Sequence, residues 1–275
     1  MPNFPNGETR LFPVVGDPIA QVLSPTHMSR LFAERGCNAM VPPVWVGSTD
    51  LAETLGVFGR LRNLDGILVT VPHKAAALGL CSHTTDRARF VGSVNVMRKT
   101  ESGWFGDNTD GRGFVAGIEA AGRPVTDARV LLIGCGGAGA AIALEFLERG
   151  AAHLALHDTD LDRRQRVIAS LMERYPGRVS IGSTDPTGFN IVANATPMGM
   201  RPDDPLPVDA EQLVASQFVA CVITKPKNSP LVEAAAAIGC RTMNGYGMFT
   251  AQIESLADFL IFPDCPGRAQ KDTAG

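Results

Sequence analysis

Short apolar runs recur along the whole chain, and stretches with helical spacing separate them. In the first part, strand candidates lie at 11–15, 44–46, 66–71 and 93–98, with helix candidates over 25–35, 51–61, 74–80 and 111–121. The second part repeats the alternation, with apolar runs at 129–133, 154–157, 191–194, 218–223 and 240–243 and a last helix over 249–260. Continuous apolar runs alternating with helices predict α/β architecture with buried parallel strands. Gly122-Arg123-Pro124 is a breaker segment and the expected division between two lobes.

One junction carries chemistry by itself. The run at 130–133 leads into Gly134-Cys135-Gly136-Gly137-Ala138-Gly139, and a helix follows. A glycine turn between strand and helix is the context in which this spacing predicts dinucleotide binding. Gly134 allows the tight turn, Gly136 lets backbone approach a pyrophosphate, and Gly139 lets helix and strand pack closely. The helix is expected over 140–149, amide N–H groups at its start face phosphates, and Gly137 and Ala138 complete the cofactor-binding turn. The next apolar run ends at Asp158, 24 residues past Gly134. An acid there accepts the ribose hydroxyls and repels a 2′-phosphate, which predicts NAD in preference to NADP. Asp160 is a second acid for that role, and Arg163 and Arg164 are cations that argue the other way.

Composition narrows the picture further. Net charge is −3 over 275 residues, which gives no basic surface for nucleic acid or an anionic membrane. The six cysteines at 37, 81, 135, 221, 240 and 265 form no Cys-x-x-Cys pair, so no metal site or disulfide framework is expected. Reduced thiols, the absence of a signal-like N-terminus and the absence of a membrane-length apolar run predict a cytoplasmic protein. The expected partner is a small molecule, and the expected assembly is a monomer or homodimer. The Gly-, Pro- and charge-rich tail from Asp264 is expected to fray.

Three segments of the first part place polar side chains at strand-to-helix turns. Ser24 precedes Pro25 and reads as a helix N-cap, with His27 one turn on. Lys74 follows the run 68–72 at the carboxyl edge of the predicted sheet, where ligands of open α/β sheets bind. Asn95 lies in a strand candidate, and Asp110 precedes Gly111-Arg112-Gly113, where helix capping is the competing reading.

Together these segments resemble the shikimate dehydrogenases and the related quinate/shikimate dehydrogenases. The matching pieces are Gly16-Asp17-Pro18-Ile19-Ala20, Leu23-Ser24-Pro25 with His27, Val69-Thr70-Val71-Pro72-His73-Lys74, Gly92-Ser93-Val94-Asn95 and Gly106-Asp107-Asn108-Thr109-Asp110-Gly111. The glycine turn, Asn194-Ala195-Thr196-Pro197-Met198-Gly199-Met200 and Gly245-Tyr246-Gly247-Met248 with Gln252 complete the set, in family order. The resemblance implies a two-lobed α/β enzyme with a substrate lobe, a Rossmann lobe and a cleft between them. The expected domains are a substrate-binding catalytic domain at 1–112, an NAD-binding domain at 113–245 and a C-terminal helix, 246–275, that returns to the first lobe. It further implies a Lys74–Asp110 catalytic dyad, with Ser24, Thr70, Asn95 and Gln252 as substrate contacts. Thr196, Met200, Val222, Gly247 and Met248 fall in segments that line the cofactor.

The chain departs from the family pattern at Val22, Leu68 and Thr224, where polar substrate contacts are usual. The exposed reading of Lys225 competes with a role as replacement carboxylate partner. The cofactor-specific Asn-Arg-Thr of NADP members is His157-Asp158-Thr159 here, in line with NAD. The leading expectation is hydride transfer between NAD(P) and a shikimate- or quinate-type hydroxy-carboxylate. The alternatives are the same chemistry on another polyol or an amino-substituted analogue, or a nucleotide-binding regulator of poor activity.

Overall fold

The structure is a computed structural model that describes residues 5–201 and 203–260. It divides into two compact units: one runs to Asn108 and resumes at Ile253, and the other spans Thr109–Gln252. The division therefore falls at the start of one helix and inside the last one. The breaker at Gly122-Arg123-Pro124 lies within the second unit, so it is a turn after a helix and not the boundary. The expectation for the tail from Asp264 lies outside the described residues.

The first unit contains β1 (Arg10–Leu11), β2 (Val14–Gly16), α1 (Ser24–Glu34), β3 (Ala39–Met40), β4 (Pro43–Trp45), α2 (Leu51–Arg60), β5 (Gly66–Val69), α3 (Lys74–Leu78), β6 (His83–Thr84), α4 (Asp86–Val91), β7 (Val96–Thr100) and β8 (Gly103–Asp107). Its larger sheet has the order β4-β2-β5-β7-β8-β6. Strands β4, β2 and β5 are parallel, as their crossover helices require. Strand β7 is antiparallel to both β5 and β8, which corrects the expectation of parallel strands throughout. The cause is local: only Glu101 and Ser102 join β7 to β8, and so short a link permits only an antiparallel return. Gly103 takes φ +117° there, a region other residues avoid. The run expected at 93–98 contains the start of β7, whereas β8, Gly-Trp-Phe-Gly-Asp, is too short and glycine-rich to stand out as an apolar run.

Ile67, Val69, Met97 and Trp104 of this sheet pack with Val94 and with Leu51 and Leu55 of α2 in one apolar cluster. Burial of such side chains contributes about 1.5–3 kcal/mol each. From Ile253 the last helix joins the same unit. A Cβ on Gly66 would strike Leu260, Arg35 pairs with Glu254 and Asp258, and Phe259 stacks on Phe105 at 5.6 Å.

The second unit contains α5 (Asp110–Ala120), β9 (Arg129–Ile133), α6 (Gly137–Glu148), β10 (His153–His157), α7 (Leu161–Arg174), β11 (Val179–Ile181), β12 (Ile191–Asn194), β13 (Phe218–Cys221), α8 (Pro230–Ile238), β14 (Arg241–Met243) and the first part of α9 (Gly245–Leu260). The strands run in the order β11-β10-β9-β12-β13-β14, all parallel. That is the doubly wound dinucleotide-binding order, with the chain direction reversing between β9 and β12. Helix α5 packs closely on α6, since a Cβ on Gly111 would enter the Ala141 carbonyl, and Phe114 meets Phe146 edge-on at 6.2 Å.

Cys81, Cys135, Cys221 and Cys240 are free thiols. Cys37 is disulfide-bonded, which the cysteine spacing did not indicate. Among the described residues no helix is long and apolar enough to cross a membrane, and no group of three His, Cys, Asp or Glu could hold a metal.

Candidate active site

In the first unit, several matching segments end on the carboxyl edge of the sheet. Lys74 is the first residue of α3, and its carbonyl accepts the N–H of Val94 at 3.0 Å. His73, 1% exposed, places its Nε2 2.7 Å from the Val46 carbonyl and so fixes the turn before Lys74. Thr70 is half-buried, donates its N–H to Val15 and packs its methyl group where a Cβ on Gly16 would sit. Asn95 is buried between β5 and β8: its N–H donates to Asp107 and its carbonyl accepts from Val69.

Ser24 is not the N-cap that the sequence suggested. Helix α1 begins at Ser24 itself, after Leu23, and no side chain caps it. Pro25 fits inside the first turn because its missing N–H has no partner there in any helix.

An element that sequence reasoning did not single out supports this edge. Asp107 closes β8, and its carboxylate accepts from Arg87 at 2.8 Å, from the Thr85 hydroxyl at 2.6 Å and from the Asn108 N–H at 2.7 Å. Arg87 is 9% exposed and Asp107 3%. The pair braces the turn that leads to Asp110 while its backbone holds Asn95. Asp107 was visible within the family motif, but nothing in the spacing linked it to Arg87.

In the second unit, Asp110 is the first residue of α5 and is 4% exposed. The competing reading of Asp110 as the cap is not met, because Thr109 occupies that position and makes no side-chain cap. Instead the Gln252 amide donates to Asp110 Oδ1 and to Thr109 Oγ1, both at 3.0 Å. Gly113 lets them meet, since a Cβ there would enter the Gln252 side chain.

The glycine turn lies at the point where the chain reverses. Gly134 takes φ +101° and leaves room for Ala195 and Thr196. Gly139 must lack a Cβ because the Gly134 carbonyl occupies its place. Gly136 differs: it is the N-cap of α6 with no side-chain cap, and nothing lies within 4 Å of the Cβ it lacks. Gly137 and Ala138 follow in the first turn, with their N–H groups at the helix start.

Asp158 is 7% exposed and ties two loops together. Its Oδ2 accepts the Cys135 N–H at 2.7 Å and its Oδ1 accepts the Asp160 N–H at 2.8 Å. Asp160 caps α7 and pairs with Arg163 at 2.9 Å, while Arg163 stays 3.7 Å from Asp158. Arg164 has a buried Nε without a hydrogen-bond partner. Burial, followed by the Asp158 charge, pushes the Cys135 thiol up to about 12, against the opposing pull of Arg164 and Arg163.

The other cofactor-segment residues lie on the loops after β12 and β13 and at the start of α9. Thr196 donates its hydroxyl to Asn194 at 2.6 Å and accepts the Met198 N–H, so it shapes the loop after β12. Met200 on that loop is 56% exposed. Val222 follows β13 and donates its N–H to Asn194. Gly247 and Met248, in the first turn of α9, both donate to Asn244.

These residues fit a nicotinamide dinucleotide. The open space at Gly136, at the amino end of α6, suits close backbone approach to a pyrophosphate. Asp158 keeps lone pairs for ribose hydroxyls beyond its two backbone bonds.

Comparison with known proteins agrees with this geometry. Residues 14–97 match the profile of the shikimate dehydrogenase substrate binding domain. The chain is 30% identical to the shikimate dehydrogenase (NADP(+)) of Thermosynechococcus vestitus, over 95% of this chain and 93% of the relative. The chain belongs to the shikimate dehydrogenase family. Two solved structures show how varied similar folds are. The ligand-free 5-ketofructose reductase of Gluconobacter sp. strain CHM43 superposes with TM-score 0.84 at 27% identity, over 93% of this chain and 94% of that one. Quinate dehydrogenase from Corynebacterium glutamicum, in complex with NAD, gives TM-score 0.80 at 26% identity, over 90% and 92%.

Against the family pattern, the structure places the departures in unequal settings. Leu68 is 3% exposed and faces Val14 and Val96 across the sheet, so it offers no polar group. Val22 is half-buried on the loop before α1. Thr224 and Lys225 are exposed on the loop after β13.

Proposed function

We propose that this family member catalyses reversible hydride transfer between a nicotinamide dinucleotide, NAD in preference to NADP, and a secondary hydroxyl of a shikimate- or quinate-type substrate. The match along 95% of the chain carries the reading of the reaction. Asp158 supports the cofactor preference, because its carboxylate would meet a 2′-phosphate with like charge.

When bound, the nicotinamide accepts or donates the hydride. The chain's own residues deal with the proton and the geometry. In the oxidative direction one member of the Lys74–Asp110 dyad takes the hydroxyl proton as the C–H hydride leaves, and in reduction that proton returns to the alkoxide. Gln252 orients Asp110 through its amide. Ser24, Thr70 and Asn95 hold substrate hydroxyls and fix the reacting carbon, which supplies acceleration through orientation. Gly134, Gly136, Gly137, Ala138 and Gly139 hold the pyrophosphate, and Asp158 holds the ribose. Thr196, Met200, Val222, Gly247 and Met248 line the nicotinamide half.

A polyol or keto-sugar in place of the carboxylate is the second reading, favoured by apolar Leu68 and Val22. Cofactor reduction with shikimate, quinate and polyols, run separately with NAD and NADP, tests both. NAD-linked turnover supports the proposal, and no turnover on any of them contradicts it.

A further inference from the structure

Among the described residues, Trp45 is the most exposed large apolar side chain, at 70%. It ends β4, on the carboxyl edge of the first unit's sheet. The ring is held in place: its indole N–H donates to Asp17 Oδ1 at 2.7 Å. Asp17 follows β2, and its N–H donates to the carbonyl of Val71, itself 61% exposed after β5. Val46 donates its N–H to Gly16, and its carbonyl meets His73 next to Lys74. Three strand ends are thus joined by hydrogen bonds, and Trp45, Asp17 and Val71 share the edge that carries Lys74. All of them fall within the stretch that matches the substrate binding domain.

Water does not stabilise an exposed indole, and pinning the ring removes the freedom that would favour exposure. A fixed aromatic face is a surface awaiting an apolar partner. The neighbouring carboxylate is acceptor-only, and its Oδ2 receives no hydrogen bond among the described residues. An indole face beside a free carboxylate oxygen suits a molecule that presents a C–H face and a hydroxyl on one side. It repels an anion.

We propose that Trp45 and Asp17 form a substrate subsite, with the indole against the C–H face of a hydroxyl-bearing ring and Asp17 Oδ2 accepting one of its hydroxyls. The substrate is therefore polyhydroxylated, and any carboxylate it carries lies away from this subsite. This inference rests on the dehydrogenase reading and gives Trp45 and Asp17 a recognition role that the resemblance assigns to neither.

The chain has two tryptophans, and Trp104 is 7% exposed in the core, so emission separates the two positions. The test begins with turnover of quinate, shikimate and 5-ketofructose with nicotinamide cofactors. The best substrate is then titrated into wild type and Trp45→Phe while emission is followed. The expected result is a saturable emission change in wild type that is lost in Trp45→Phe. Trp45→Ala and Asp17→Ala should each raise KM about fivefold or more while kcat moves less than about twofold. Retention of the emission change in Trp45→Phe, or KM values within about twofold of wild type in both alanine variants, overturns the subsite. Absence of wild-type turnover on all three substrates overturns the dehydrogenase reading, and this inference with it.

Discussion

The carboxylate of Asp158 accepts the backbone N–H of Cys135 at 2.7 Å, so the acid at the end of β10 also braces the glycine turn after β9. Cofactor choice and turn geometry therefore depend on one side chain. Asp158→Ala should weaken NAD binding about tenfold or more and narrow the gap to NADP. It should also lower stability by about 1–3 kcal/mol, because a buried N–H loses its acceptor. Binding isotherms for both cofactors and urea unfolding check this. An unchanged NAD-to-NADP ratio would move selectivity elsewhere, to Arg164 first.

Two glycines of the turn make opposite predictions. Gly136 has open space where its Cβ would be, while Gly139 has the Gly134 carbonyl there. Gly136→Ala should fold with wild-type stability and lose cofactor affinity by about tenfold or more, because the methyl group takes the space of the pyrophosphate. Gly139→Ala should lose stability, by about 1–3 kcal/mol as an overpacked core contact. Thermal unfolding with and without NAD separates the two. A Gly136→Ala protein that binds NAD like wild type would refute the phosphate role.

The Arg87–Asp107 pair is almost fully buried, and the Asp107 carbonyl accepts the Asn95 N–H. Removing one partner leaves an uncompensated charge, so Arg87→Met should cost about 3–5 kcal/mol in urea unfolding. The double variant Arg87→Met with Asp107→Asn should recover part of that loss. A cost in the single variant below about 0.5 kcal/mol would remove the pair from the support of this edge.

Burial holds the Cys135 and Cys81 thiols up, at about 12 and about 11. Cys135 therefore stays a thiol at pH 8, and iodoacetamide should leave it unmodified in the folded protein. The folded chain keeps protons that the unfolded chain releases above its thiol range near 9. Stability is then full below that range and falls as pH rises above it. Mass spectrometry after alkylation and unfolding midpoints at pH 8 and 10 check both statements. Rapid alkylation of Cys135 at pH 8 would contradict the burial argument.

Where local signals and tertiary demands coincide, the sequence reads well. The run 130–133 with its glycines and Asp158 needs only strand period, turn chemistry and helix start, and the structure has each in place. The β7–β8 hairpin was hidden because β8 is five residues with glycine at two of them, and its signal is the two-residue link rather than a run. Ser24 and Asp110 look like caps in sequence. Each proves to be the first helical residue, a shift of one position that frees the side chain from the capping role. Arg87 with Asp107, and Trp45 with Asp17, are joined only by the way strands fold together, and no spacing rule reaches across 20 or 28 residues.

The most direct measurement of the central claim is NAD reduction, followed by absorbance of the reduced nicotinamide, for wild type and Lys74→Ala with quinate and shikimate. The account predicts turnover in wild type that falls about 10²–10⁴-fold in Lys74→Ala, with NAD affinity unchanged by equilibrium binding. Equal turnover in both proteins would contradict it and remove Lys74 from the proton chemistry.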